Sequence, residues 1–352
     1  MNQPQAPSVF SGTKAPDEKW LLRAAPELAV DPDRPIVDPH VHFWHHKSGY
    51  KYFVEEFARD VHDSGHNVEA TVFVECGSMY RAHGPEHLRS VGETEFAVGM
   101  AAIAESANYT RAHAAAGIVA FADLTLGGQT REALEAHQFV ANGRLKGVRQ
   151  RAKWDPDPAV RGPVCADRPG LFLEPKLGEG LDVLTSMGLS FDASIFHPQL
   201  SELADLARRH EDANIVLIHT GSPVGHSSYA GKAVEVHGNW LAGMRELAAC
   251  PNVSVKIGGL LMCLANFDFS TADSPPTSEQ LADLWRPYIE PCVELFGASR
   301  CMASSNFPVD RAGFSYGTLW NMFKHVTAAC SEHEKAEIFA GTAKRIYRLD
   351  NV

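Results

Sequence analysis

The chain has 352 residues, with 32 basic and 43 acidic side chains for a formal charge of -11; 45% of residues are hydrophobic and 21% charged. This is a globular composition with material for one large domain or two small ones, and it excludes a disordered or fibrous chain. The acidic excess contains no Lys/Arg-rich run of the kind that clusters positive potential, so nucleic acid is excluded as the expected partner. No stretch reaches the ~18–20 apolar residues of a membrane span, and the opening MNQPQAPSVF lacks the order of a signal peptide. A cytoplasmic protein that acts on a small molecule is predicted, with no membrane partner and with a homo-oligomer left open.

Taken in chain order, residues 1–34 are rich in Pro and Ala and form an N-terminal arm. The first predicted strand is Ile36 to Phe43, followed by a 26-residue insertion (44–69) with an aromatic cluster that includes Tyr50 and Tyr52. Further strands are predicted at Ala70 to Cys76, Gly117 to Leu124, Leu145 to Gln150, Leu189 to Phe196, Asn214 to Thr220, Asn252 to Gly259 and Arg300 to Phe307. Helix-patterned stretches separate them, many stopped by Gly or Pro. Strands alternating with helices read as βαβ units on a parallel sheet. Eight such units predict a single (β/α)8 TIM barrel over 35–352, since the bare fold needs ~250 residues. An open doubly wound sheet is the alternative. The surplus falls into 44–69, 151–180 and the Pro-broken stretch after strand seven, which contains Phe267 and Phe269. Loops that follow strands line the C-terminal face of a barrel, so these become pocket walls.

Seven cysteines are scattered with no CxxC pair, which predicts reduced thiols. The chemistry-bearing signal is Asp38-Pro39-His40-Val41-His42. Strand periodicity sends His40 and His42 to one side, where two imidazoles make a metal-binding pair or a polar anchor for substrate. His45 and His46 follow as rim residues. No GxGxxG, GxxxxGK[ST] or GxSxG pattern is present, which leaves nucleotide binding and a serine nucleophile without support.

With its first-strand HxH, a His after strand five (His197, in IFHPQ), a His ending strand six (His219, in LIHTGSP) and the strand-eight SSNFP, the chain resembles the amidohydrolase superfamily. The branch is that of the amidohydrolase-related proteins, which includes 2-pyrone-4,6-dicarboxylate and sugar lactonases. The resemblance runs from Ile36 to the final GTAKRIYRLD. One departure matters: where the family has an Asp in G-S-D-x-P, this chain has Asn306, whose neutral amide cannot act as a base. Asp310, four residues on, is read as a surface or helix-capping residue with a lesser claim to be the base.

Losing the family's strand-eight Asp weakens a metal site, but His40, His42 and Glu75 still offer a divalent ion such as zinc or manganese three candidate ligands, with His197 or His219 able to complete the set. Period-two alternation groups Glu75 with Thr71 and Phe73 on the inward face. A metal-free scheme, in which histidines and arginines polarise the carbonyl directly, is the rival. Arg149, in G-V-R at the end of strand four, is suited to hold a substrate carboxylate through two parallel hydrogen bonds. His219 is assigned the handling of water and Asn306 its orientation. Tyr80, Arg151, His197 and Trp154 are candidate substrate contacts. The activity implied is hydrolytic opening of a lactone. The alternatives are a metal-dependent decarboxylase of a hydroxybenzoate-like acid and a degenerate barrel that only binds.

Overall fold

The computed structural model describes residues 15–46, 48–161, 165–261 and 272–349. Eight strands form one parallel sheet in sequence order: β1 (Ile36–Val41), β2 (Val68–Val74), β3 (His113–Ala120), β4 (Leu145–Arg151), β5 (Ser190–Ser194), β6 (Ile215–Leu217), β7 (Val253–Gly258) and β8 (Cys301–Ser304). The sheet closes on itself just beyond β1 and β8, where Val41 bridges Phe307 and the His42 N–H donates to the Phe307 carbonyl at 2.8 Å. The predicted (β/α)8 barrel is the observed fold. All eight predicted strands are present, although β1, β2, β3, β5, β6 and β8 differ from the predicted bounds by two to four residues at an end.

One principal helix follows each strand: α1 (Val54–Ser64), α2 (Val91–Glu105), α3 (Thr130–Ala141), α4 (Pro175–Ser186), α5 (Leu200–Arg209), α6 (Ala233–Ala248), α7 (Ser278–Phe296) and α8 (Tyr316–Val326). Their sequences show why. In α5, Leu200, Leu203, Ala204, Leu206 and Ala207 recur on one buried face, the stripe an amphipathic helix turns to a core. Helix α7 begins with a capping box: the Gln280 N–H donates to Thr277 Oγ1 and the Thr277 N–H to Gln280 Oε1, satisfying donors the first turn leaves free.

Alternate strand residues sort into two cores. Phe73, Val148, Phe191, Leu217, Val255 and Ala303 pack outward with the helices, whereas Val37, Val72, Val74, Val119, Val216 and Met302 gather with Tyr347 and Leu349 from the segment that follows the short helix Thr342–Ile346. That segment seals the barrel at the N-terminal ends of its strands. Tyr347 donates to Asp192 Oδ2 at 2.8 Å, and the same oxygen accepts from Lys256 Nζ at 2.7 Å. This buried pair ties β5 to β7 through the barrel interior. The described part of the N-terminal arm lies across the helices, held by Trp20 Nε1 on the Ala272 carbonyl, Arg311 on Glu18 and the Val30 N–H on Asn321 Oδ1. Insertion 44–69 supplies a two-stranded ribbon (Trp44–His45 with Lys51–Tyr52) and α1. The six described cysteines are free thiols. Among the described residues no helix is long and apolar enough to cross a membrane.

Candidate active site

Three imidazoles from the C-terminal ends of β1 and β6 converge inside the barrel. The His40 ring centroid lies 4.9 Å from His42 and 4.6 Å from His219, and all three side chains are buried. Asp38 fixes the first pair: Oδ1 accepts from the His40 N–H at 3.2 Å and the Ser305 N–H at 3.0 Å, while Oδ2 accepts from Tyr316 Oη at 2.8 Å. The motif's aspartate therefore laces β1 to the β8 turn and to α8.

His219 stands on a turn in which it and Thr220 both adopt positive φ, +52° and +54°, conformations that cost of order 1–3 kcal/mol each for non-glycine residues. The surroundings hold the turn. Thr220 Oγ1 accepts from the Gly258 N–H at 3.0 Å, and Trp240 Nε1 donates to the Thr220 carbonyl at 2.7 Å. Gly259 makes room for the ring, since a Cβ there would fall 2.0 Å from His219 Nδ1.

Burial is the first cause holding His40 and His219 neutral, and cations reinforce it: Lys256 and Arg149 act on His40, Lys153 and Arg149 on His219. Burial and Arg149 likewise bring His42 down to about 3. Its tautomer follows from geometry, because Nδ1 sits 2.7 Å from the Val74 carbonyl and must be the N–H that donates to it. His40 Nδ1 and His219 Nδ1 are buried without a hydrogen-bond partner.

Glu75 follows the end of β2 and faces two guanidiniums. Arg149 Nε and Arg151 Nε donate to its Oε1 at 2.7 and 2.8 Å, and Arg151 also binds Oε2. Burial alone would raise this carboxyl, but the two arginines overrule it and hold it below the usual range. Arg149 also reaches toward His40 Nε2 at 3.5 Å. The alternation assumed for β2 has the opposite phase: Phe73 stacks outward on Phe43, and Glu75 enters the site because the strand has ended.

The structure thus brings His40, His42, His219, Arg149, Arg151, Glu75 and Asn306 to one end of the barrel. His197 is buried apart from the imidazole cluster, 5.2 Å from the Tyr229 ring, with Nδ1 accepting from the Val224 N–H. Trp154 carries Arg161 over its face at 5.9 Å, and Tyr80 is 38% exposed at the rim. Tyr52 is spent on packing and on Asp60; Phe267 and Phe269 lie outside the described residues. Sequence reasoning missed Lys153 and Lys256, both buried. Both had a period-two signal, Lys153 following Arg149 and Arg151, and Lys256 lying between Ser254 and Gly258. Asp310, expected at the surface, is fully buried and accepts from Asn306 Nδ2 at 2.8 Å. A cavity of about 480 Å³ lined by Asn214, Ser254, Arg300 and Arg345 opens at the opposite end of the strands, away from this chemistry.

The sequence profile of the amidohydrolase family, "Amidohydrolase", matches residues 37–349. The chain belongs to this family. Among its relatives, an uncharacterized protein of Sinorhizobium fredii, y4mH, is 30% identical over 339 residues, covering 90% of this chain and 99% of that one. An L-fucono-1,5-lactonase of Burkholderia ambifaria is 30% identical over 183 residues, covering 50% of this chain and 56% of the lactonase. A solved amidohydrolase from Burkholderia multivorans with bound zinc superposes with a TM-score of 0.67 at 20% identity, covering 89% and 99% of the two chains.

The described residues of this amidohydrolase do not offer a divalent cation a fitting donor set. Among the described residues no group of three or more His, Cys, Asp or Glu side chains is arranged to hold a metal. The Glu75 carboxylate is shared by two arginines, an amide stands at 306, and Lys153, Arg149 and Lys256 bring positive charge to the imidazoles. A dication there would meet cations where it needs anionic oxygen.

Proposed function

We propose that this amidohydrolase opens a lactone of a small acidic or hydroxylated metabolite by water attack on the carbonyl, without routing the reaction through a metal. The observation that carries the reading is the juxtaposition of neutral imidazoles, two of them with a bare buried Nδ1, with a bank of cations. Water attack on a lactone builds an oxyanion, and fixed positive groups in a water-poor site stabilise that charge more than they stabilise the neutral ester. Arg149, Arg151 and Lys153 provide it, and the Glu75 clamp holds both guanidiniums in place before substrate arrives. His219 accepts the proton of the attacking water and returns it to the ring oxygen as the acyl–oxygen bond breaks, so the acid and the freed hydroxyl leave together. Burial weakens His219 as a base, so the transfer depends on the cations stabilising the oxyanion in the same step. Asn306 orients that water and does not act as the base. The same cations attract a substrate with a carboxylate or a hydroxyl-rich face, and Trp154 and Tyr80 contribute walls. The relatives named as lactonases support this class of reaction.

The test is a screen of sugar lactones and pyrone carboxylates against hydroxybenzoic acids, run on protein purified without added metal and assayed by elemental analysis. Lactone opening that survives chelation is the expected result. Carbon dioxide release from a hydroxybenzoate, or turnover strictly dependent on added zinc or manganese, would replace the proposal with a metal-dependent scheme.

A further inference from the structure

Among its described partners, the Asn306 amide sits between two groups that cannot both be served at once. On one side, His42 Nε2 lies 3.3 Å from Asn306 Oδ1; on the other, Asp310 Oδ1 lies 2.8 Å from Asn306 Nδ2. His42 Nδ1 is committed as the N–H that donates to the Val74 carbonyl, so a neutral imidazole has a bare lone pair at Nε2. A lone pair facing an amide oxygen gains nothing. The two ends of a primary amide are nearly isosteric, and the same positions accept the amide turned over. Its N–H then donates to His42 Nε2, and its carbonyl oxygen faces Asp310, which must in turn donate. Only a protonated carboxyl does so.

The surroundings of Asp310 lead to the same state. Its side chain is fully buried and its Oδ2 has no hydrogen-bond partner. Among the described residues, the groups against it are the Asn306 amide from its own turn and the Leu261 backbone from the loop after β7, neither of which titrates. An ionised carboxylate there would bury a charge with no cation beside it among the described residues. Arg311, the next residue, points away to Glu18 and Asp60.

We propose that Asp310, held as the neutral acid, is a positioning residue that sets the orientation of the Asn306 amide and thereby presents a donor to His42 Nε2. The carboxyl missing from position 306 is present one turn later and acts at second hand. Burial places its ionisation at about 8. Above that pH the amide returns to serve the carboxylate, and His42 loses its donor. The effect on turnover rests on the hydrolytic reading above, but the hydrogen-bond arrangement belongs to the resting protein and is measurable without substrate.

The experiment compares the full chain with Asp310→Asn and Asp310→Ala. Infrared difference spectra between wild type and D310N should contain a protonated-carboxyl carbonyl band at pH 6 that disappears as pH passes 8. The 15N signal of His42 Nε2 should move over the same range in wild type and stay still in D310N. With a lactone that is turned over, wild-type kcat should fall about tenfold between pH 7 and 9. In D310N that fall should vanish, while D310A lowers kcat with little change in KM. No carboxyl band at pH 6, a His42 signal unmoved in wild type, or an alkaline fall that survives in D310N would each overturn the proposal. If no lactone is opened, the infrared and 15N results still decide it. If D310A does not fold, D310N alone suffices.

Discussion

Gly259→Ala is the sharpest perturbation the site allows. The added Cβ would lie 2.0 Å from His219 Nδ1, 2.8 Å from its Cγ and 2.9 Å from its Cε1. Restoring a tolerable separation of 3.0 Å requires the ring to retreat by about 1 Å, and a displacement of about that size in a catalytic group can cost ~100-fold in rate. Two further costs fall on stability. Residue 259 has φ +65°, which an alanine tolerates only at roughly 1–2 kcal/mol, and the His219 turn would lose its packing. Gly143→Ala is the matched control, because Gly143 has φ +81° with nothing within 4 Å of its added Cβ. It should suffer the backbone cost and keep its activity. The assay is kcat/KM on the lactone that is turned over, with thermal melts of both variants. A G259A enzyme with wild-type kcat/KM would refute the placement of His219 as the proton acceptor.

Four other outcomes are expected. Because His42 titrates at about 3 and burial also holds His40 and His219 below the ordinary histidine range, kcat/KM should show no acid limb between pH 5 and 7; a histidine-like limb near 6.5 would show a solvated base instead. Lys256→Met alone, which strands buried Asp192, should lower unfolding free energy by about 3–5 kcal/mol in denaturant titrations, whereas removing both charges together should recover much of it; additive losses would contradict the pair. Asp310 has a folded pKa of about 8 against a usual 3.8, so its neutral form favours the fold at low pH, and stability should decline as pH rises from about 4 toward 8. In D310N that decline should be smaller by up to ~5 kcal/mol at pH 9, and identical pH–stability curves would show that the group is solvated. Asn306→Ala should lose at least tenfold in kcat while Asn306→Asp retains or alters turnover; full activity in the alanine variant would remove Asn306 from the mechanism.

The barrel was legible because each strand is a short apolar run set off by Gly, Pro or Asn, and because eight of them alternate with helical stripes. The strand-end histidines were legible for the same reason, since period two places His40 and His42 together. What escaped was whatever depends on the backbone leaving that regular period. Glu75 lies just past the last residue of β2, so alternation along Thr71 and Phe73 predicted its direction from the wrong phase. Asp310 looked like a surface residue because nothing local shows that the left-handed turn at Asn306 folds the next residues back under the site. Lys256 carried a readable signal, the one charge on an otherwise uncharged strand. Its partner Asp192 is 64 residues away on a strand that is not sequential with its own, and no local pattern joins them.

The seal at the lower end of the barrel bears on how the chain is made. Val37 on the first strand and Tyr347 near the last described residue share one core, and Tyr347 closes over the Lys256–Asp192 pair. At synthesis rates of roughly 5–20 residues per second, the first strand waits for about 15–60 s before that tyrosine exists. Until then the interior charges have no lid, and the parallel sheet has an open edge at β1 with the valines of its inner face exposed. Nascent chains of this protein therefore pass through a long interval in which they need protection from pairing with one another, and strand eight together with the terminal segment ends it.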